Sequence, residues 1–190
     1  MNVLVFTPSK TMSIGARTAQ SLVGLTTLLI DNGHQASWTI APGNFVHVMR
    51  DRAVKAMLQS EHTDLLMLDD DIGFDAAGVM RMLLMQADAI GAVCPSRGRG
   101  PVVGAKLREH IHGVDEVTYI GTGLMHISRK LIDHLVWTCN ESYIFDAPRV
   151  EDAITGEDVF FCGLVRKHGI AVFADRRVET SHTGPYTWTQ

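Results

Sequence analysis

Leu65-Leu66-Met67-Leu68-Asp69-Asp70-Asp71-Ile72-Gly73-Phe74 is the stretch that decides how this chain folds. Four apolar residues in a row fit a strand buried on both faces, as in a parallel sheet covered by helices. Three carboxylates then arrive together at its C-terminal end, the end at which open α/β sheets bind ligands. Adjacent anions repel one another and call for a cation. Mg²⁺ or Mn²⁺ suits them, because hard divalent ions take oxygen ligands and often share a substrate phosphate. A solvated acidic turn capping the next helix is the alternative reading of the same residues.

Upstream, Val3 to Phe6 reads as a first strand ended by Thr7-Pro8-Ser9. Ser13 caps a helix from Ile14 to about Asn32, with Leu22, Leu25 and Leu29 on one face and Gly33 as its stop. Ala36 to Ile40 is a second strand closed by Pro42-Gly43-Asn44, and a second helix runs from about Phe45 to Gln59. Its apolar stripe is Phe45, Met49, Ala53 and Ala56. Downstream come a helix from about Asp75 to Gln86 and a strand from Ala89 to Val93. This alternation predicts a parallel, Rossmann-like half.

The second half is more mixed. Ser96-Arg97-Gly98-Arg99-Gly100-Pro101 reads as a loop long enough to suggest function. Val117 to Ile120 and Leu124 to Ile127 read as strands interrupted by Gly121-Thr122-Gly123. Ser128 caps a short helix through Leu135, a helix runs from Glu157 to about His168 before Gly169, and Ile170 to Ala174 is a last buried strand. The expected fold is one α/β domain over residues 1–190, with a mostly parallel central sheet flanked by helices. Residues 1 to about 95 are expected to be the nucleotide-sugar-binding half, and about 96–190 a smaller mixed half for the acceptor and catalysis.

A net charge of −4 argues against a global field for nucleic acid. Arg97, Arg99, Lys106 and Arg108 are locally basic, either as a solvated loop or as a surface for a phosphorylated or nucleic-acid acceptor. Cys94, Cys139 and Cys162 are far apart and make neither a metal-type pair nor a disulfide framework. With no signal-peptide pattern and no apolar run of about 18–20 residues, the chain reads as soluble and cytoplasmic.

Several residues are candidates for chemistry. Thr155-Gly156-Glu157-Asp158 fits a capping box, or a carboxylate at a helix start that takes a proton from a hydroxyl. Arg50 and Arg52 point about 200° apart on their helix. Arg52, seven residues after Phe45, falls on the inward stripe and would meet an anion such as phosphate; Arg50 reads as a solvated surface charge. His182 follows the last core strand and matters only in company with other ligands. Gly121-Thr122-Gly123 permits close backbone approach to a ligand or a simple turn. Neither the nucleoside triphosphatase loop nor the dinucleotide fingerprint is present.

Taken in order, these pieces resemble a GT-A fold, DXD-motif glycosyltransferase of small single-domain type. The matching elements are Asp69-Asp70-Asp71 at a strand end, Gly121-Thr122-Gly123-Leu124-Met125, Gly156-Glu157-Asp158-Val159-Phe160-Phe161, and His182 with Gly184. Arg52 resembles the Arg of that family's Ala-Arg-Asn helix, with Ala53 in place of the Asn. The resemblance implies that Asp71 and His182, with Asp69 approaching, hold Mn²⁺ or Mg²⁺. Thr7, Pro8, Ser9, Arg52, Asp69, Asp70, Thr122 and Gly123 would bind a nucleoside-diphosphate sugar, a UDP-sugar by preference. Asp158 would be the base of an inverting transfer, with Glu157 the alternate. The hydroxyl acceptor is open among a glycan, a protein, a small metabolite and modified phage DNA. Competing readings are a sugar nucleotidyltransferase and a non-catalytic nucleotide-sugar or nucleic-acid binding module on the same fold.

Overall fold

The computed structural model describes residues 1–96, 100–150, 153–184 and 187–189. Its first half alternates as expected: β1 (Asn2–Ser9), α1 (Ala16–Asp31), β2 (Gln35–Pro42), α2 (Val46–Leu58) and β3 (Asp64–Leu68). A short β4 (Ile72–Phe74), then α3 (Ala76–Leu84) and β5 (Ala89–Ala92), complete it. The second half holds β6 (Lys106–Ile111), β7 (Val114–Val117), β8 (Leu124–Ser128) and α4 (Arg129–Asp133), which runs into a π-helical turn over His134–Thr138. A two-residue hairpin, β9 (Arg149–Val150) and β10 (Ala153–Ile154), precedes α5 (Glu157–Lys167), β11 (Phe173–Asp175), β12 (Thr180–Thr183) and β13 (Thr187–Thr189).

Eight strands form one sheet in the order β2-β1-β3-β8-β5-β11-β7-β6. β8 and β7 run against the other six, so the sheet is mostly parallel in direction but mixed in pairing. β3 lies between β1 and β8 with Leu65 to Leu68 fully buried, as its unbroken apolar run predicts. Strand alternation divides the core in two. Leu4, Phe6, Leu65 and Met67 face α2, α4 and α5, whereas Val3, Val5, Leu66 and Leu68 face α1 and α3.

Several local expectations are corrected. Helix α1 begins at Ala16 after Gly15, with no side-chain cap. Ser13 is instead tied into the preceding loop, where its N–H donates to Ser9 Oγ at 3.3 Å and its carbonyl accepts from that hydroxyl at 2.9 Å. Leu22, Leu25 and Leu29 are buried, and Gly33 at φ +75° ends the helix as read. The phase of α2 is wrong in the sequence reading. Phe45 sits ahead of the helix in extended backbone and is 66% exposed, so it cannot anchor the stripe. The buried face is Met49, Arg50, Ala53, Val54 and Met57.

β4, β6, β12 and β13 were not anticipated, being short, polar or exposed. β4, β12 and β13 make a separate small sheet in the order β13-β12-β4. It returns the chain's C-terminal segment to the acidic turn, because His182 pairs with Ile72. Ser128 caps α4 by accepting from the Leu131 N–H at 3.0 Å, as predicted. No described helix is long and apolar enough to cross a membrane.

Candidate active site

Phe6 lies beside Met67, so β3 ends two residues short of β1, and Asp69 to Asp71 follow at that edge. The turn is pinned from both sides. The Asp69 N–H donates to the Gly123 carbonyl at 2.8 Å, and the Asp70 carbonyl accepts from Gly15 N–H at 2.7 Å and Thr18 Oγ1 at 3.2 Å. The Asp71 carbonyl accepts from Thr183 N–H at 2.8 Å. A Cβ on Gly123 would stand 3.2 Å from Asp69 Oδ2, so a larger residue would push that carboxylate aside.

Asp71 and His182 meet although 111 residues separate them: Nε2 lies 3.0 Å from Asp71 Oδ2. His182 Nδ1 lies 2.8 Å from the Pro95 carbonyl oxygen, which has only lone pairs to offer, so Nδ1 carries the hydrogen. The Nε2 edge therefore faces a carboxylate, and a proton or a metal cation must lie between them. A histidine whose second nitrogen donates to a backbone carbonyl is the usual outer arrangement of an imidazole metal ligand. Carboxylate oxygen plus imidazole nitrogen suits Mn²⁺ or Mg²⁺, with phosphate and water completing the shell. These residues fit such an ion. Among the described residues, no cluster of three His, Cys, Asp or Glu forms a closed metal cage.

A cavity of about 140 Å³ opens here, lined by Arg50, Asp69, Cys94, Thr122, Glu157, Asp158 and His182. It brings together the ends of β3 and β5, the start of α5 and the segment leading into β8. Burial pushes the Cys94 thiol up to about 12, so it lines the cavity as a neutral group. A larger groove of about 830 Å³ runs between α1 and β12, but its Asp75 is committed to capping α3 and it lacks the acid-histidine set. The smaller cavity is the one that gathers the acids, Arg50 and His182.

The two arginines exchange places. Arg50 is 2% exposed, donates from Nη1 to the Thr122 carbonyl at 2.7 Å and pairs through Nη2 with Asp69 Oδ1 at 2.7 Å. Arg52 is exposed and donates to the Pro42 carbonyl at 3.2 Å. The signal was present in the sequence, since Arg50, Val54 and Met57 share the i, i+4, i+7 spacing. Anchoring the phase on Phe45 hid it.

At the start of α5, Gly156 occupies the N-cap with no side-chain cap, so the Thr155–Asp158 box does not form. Asp158 Oδ1 accepts from its own helix at Val159 N–H, 2.8 Å away. Glu157 Oε1 lies 3.4 Å from Arg50 Nε. Thr7, Pro8 and Ser9 are buried at the end of β1, outside the cavity lining. Thr7 Oγ1 accepts from the Trp38 indole at 3.1 Å. In the locally basic stretch, Arg97 and Arg99 lie outside the described residues. Lys106 and Arg108 are on β6, paired with Asp115 and Glu116.

The arrangement places acids and a histidine at the C-terminal edge of a mixed sheet with one reversed strand, β8, beside the acidic strand. The backbone fold is similar to that of A197 from STIV over 97% of this chain and 86% of that one, at TM-score 0.65 and 22% identity. UDP-glucose pyrophosphorylase complexed with UDP-glucose matches 93% of this chain and 90% of its own, at TM-score 0.52 and 10% identity. These neighbours share one α/β fold with this chain. A third neighbour with this fold, S. aureus TarS 1–349 in complex with UDP, aligns over 85% of this chain at TM-score 0.51 and 18% identity. The present chain spans 54% of that TarS segment. No family model and no curated protein matches the sequence. Identities this low establish a shared fold alone.

Proposed function

We propose that this protein is a metal-dependent glycosyltransferase that moves a sugar from a nucleoside-diphosphate sugar, a UDP-sugar by preference, to a hydroxyl acceptor with inversion. The observation that carries the reading is the meeting of Asp69–Asp71, His182 and Glu157–Asp158, three distant segments, around one cavity at the end of β3. Two of the structural neighbours bear UDP or UDP-glucose in their own complexes, which supports such a donor here.

Asp71 and His182 would hold Mn²⁺ or Mg²⁺, which supplies positive charge to the diphosphate oxygens as they take up the leaving electron pair. The β1 end with Thr7, Pro8 and Ser9 would back the nucleoside. The turn of Asp69 and Asp70, with Thr122 and Gly123 opposite, would line the ribose and diphosphate. Residues 1 to about 95 would thus supply most of the donor site, completed by Thr122, Gly123 and His182 from the half that would bind the acceptor. Asp158 would accept the proton of the acceptor hydroxyl as its oxygen bonds to the anomeric carbon. The bond from that carbon to the diphosphate breaks, and the nucleoside diphosphate leaves with the electron pair.

Asp158→Asn tests this assignment. It should retain UDP binding while lowering transfer by roughly 10²–10⁴-fold, the usual worth of a positioned base. Glu157→Gln should cost far less. The products discriminate the alternatives: released UDP supports glycosyl transfer, released pyrophosphate would replace it with nucleotidyl transfer, and binding without turnover would replace it with a binding module.

A further inference from the structure

Four carboxylates meet around this cavity and its adjoining turn, and they are not equivalent. The difference comes from Arg50. Its side chain is 3% exposed, and a guanidinium buried to that degree is costly unless anions and hydrogen-bond acceptors compensate it. Three segments do so. The Thr122 carbonyl and Asp69 Oδ1 each take one Nη at 2.7 Å. Nε, buried without a hydrogen bond, stands 3.4 Å from Glu157 Oε1, within ion-pair range. Asp69 ends β3, Thr122 leads into β8 and Glu157 opens α5, so one α2 side chain ties the donor side of the cavity to the acceptor side.

The two other acids are held differently. Asp71 bonds His182, and Asp158 accepts from its own helix at Val159. Neither is paired with Arg50. Without the guanidinium, Asp69 and Glu157 would be two like charges lining a cavity of about 140 Å³ with their shared counter-charge gone. A lysine could not replace it, because a single ammonium cannot serve three acceptors in different directions from one fixed fork.

We propose that Arg50 is the positioning residue of this site. It neutralises Asp69 and Glu157 as fixed anions and leaves the working roles to Asp71 and Asp158. The division of roles rests on the glycosyltransferase reading above. The clamp itself is a property of the ligand-free chain.

A double-mutant cycle on the full-length protein tests it, using Arg50→Met, Glu157→Gln and the pair. Melting temperature would be read without ligand, and UDP affinity by calorimetry with Mn²⁺. Glu157→Gln alone should lower both, but by less than Arg50→Met, because Asp69 and the Thr122 carbonyl still compensate the guanidinium. Arg50→Met should lower the melting temperature and weaken UDP at least ~10-fold, the scale of a lost charged hydrogen bond. Adding Glu157→Gln to Arg50→Met should recover at least half of the melting loss and about threefold or more of the affinity, because one of the two uncompensated anions is removed. Arg50→Lys should fall between wild type and Arg50→Met in both readouts; it supplies the cycle if Arg50→Met does not fold.

Additive effects in both readouts would overturn the proposal. So would recovery of stability with no recovery of UDP affinity, which would place Arg50 on the nucleotide itself. If wild type binds no UDP, the glycosyltransferase reading fails while the ligand-free cycle still decides the clamp.

Discussion

Replacing Asp71 by Asn strikes the contact that joins the acidic turn to the C-terminal segment. Asp71 Oδ2 and His182 Nε2 are 3.0 Å apart, with side chains 22% and 18% exposed. A hydrogen bond to a charged group is worth about 1.5–3 kcal/mol, and partial exposure brings this pair toward about 1 kcal/mol. A domain of this size loses roughly 2–4 °C of melting temperature per kcal/mol, so ligand-free Asp71→Asn should melt a few degrees lower and stay folded. The ligand effect is larger. Mn²⁺ with UDP at about 100 times their dissociation constant should add ~2.7 kcal/mol to the wild type by linkage. That converts to about 5–11 °C, well above the sum of the two shifts measured singly. A neutral amide cannot balance the cation, so in Asp71→Asn the excess over that sum should fall below ~2 °C. Thermal shift with each ligand singly and together, with and without chelator, reads this directly. An undiminished excess in Asp71→Asn or in His182→Ala would refute the assignment of this pair to a metal.

Three further outcomes are expected. Arg52→Ala should change stability and UDP affinity by less than about 0.5 kcal/mol, because Arg52 is a surface residue with one backbone contact; calorimetry and melting check it. Burial alone would raise the pKa of Asp64, but hydrogen bonds from His126 and Thr63 outweigh it and hold it below 3.8. Its contribution is present above that value and lost as pH falls through the lower folded value, so His126→Leu should flatten the acid limb of stability below about pH 4, read by urea unfolding. Phe145 is 1% exposed and stacks on Phe161 of α5 at 4.7 Å. Phe145→Ala should cost about 3–5 kcal/mol, seen as a lower denaturant midpoint.

The uninterrupted Leu65–Leu68 run with its acids, the leucines of α1 spaced for one helix face, and the glycines at 33 and 169 were enough to place the alternating first half and the helix ends. These are local signals: hydrophobic period, and the backbone freedom that a left-handed stop requires. The candidate site was legible only as separate pieces. Asp71 and His182, or Asp69 and Thr122, carry no mark in sequence that they are neighbours. β4 and β12 supply the first contact by pairing Ile72 with His182, and β8 supplies the second by inserting antiparallel beside β3. Strand pairing at that separation is chosen by which edges are available once the core has closed, which no local pattern encodes. Helix phase failed for a related reason. A stripe read from one large apolar residue put Arg52 inside, whereas two carboxylates brought by distant elements make Arg50 the arginine that α2 can bury. Local pattern marks the residues able to do chemistry. Which of them meet is settled by packing, because a buried charge has a place only where its partners arrive.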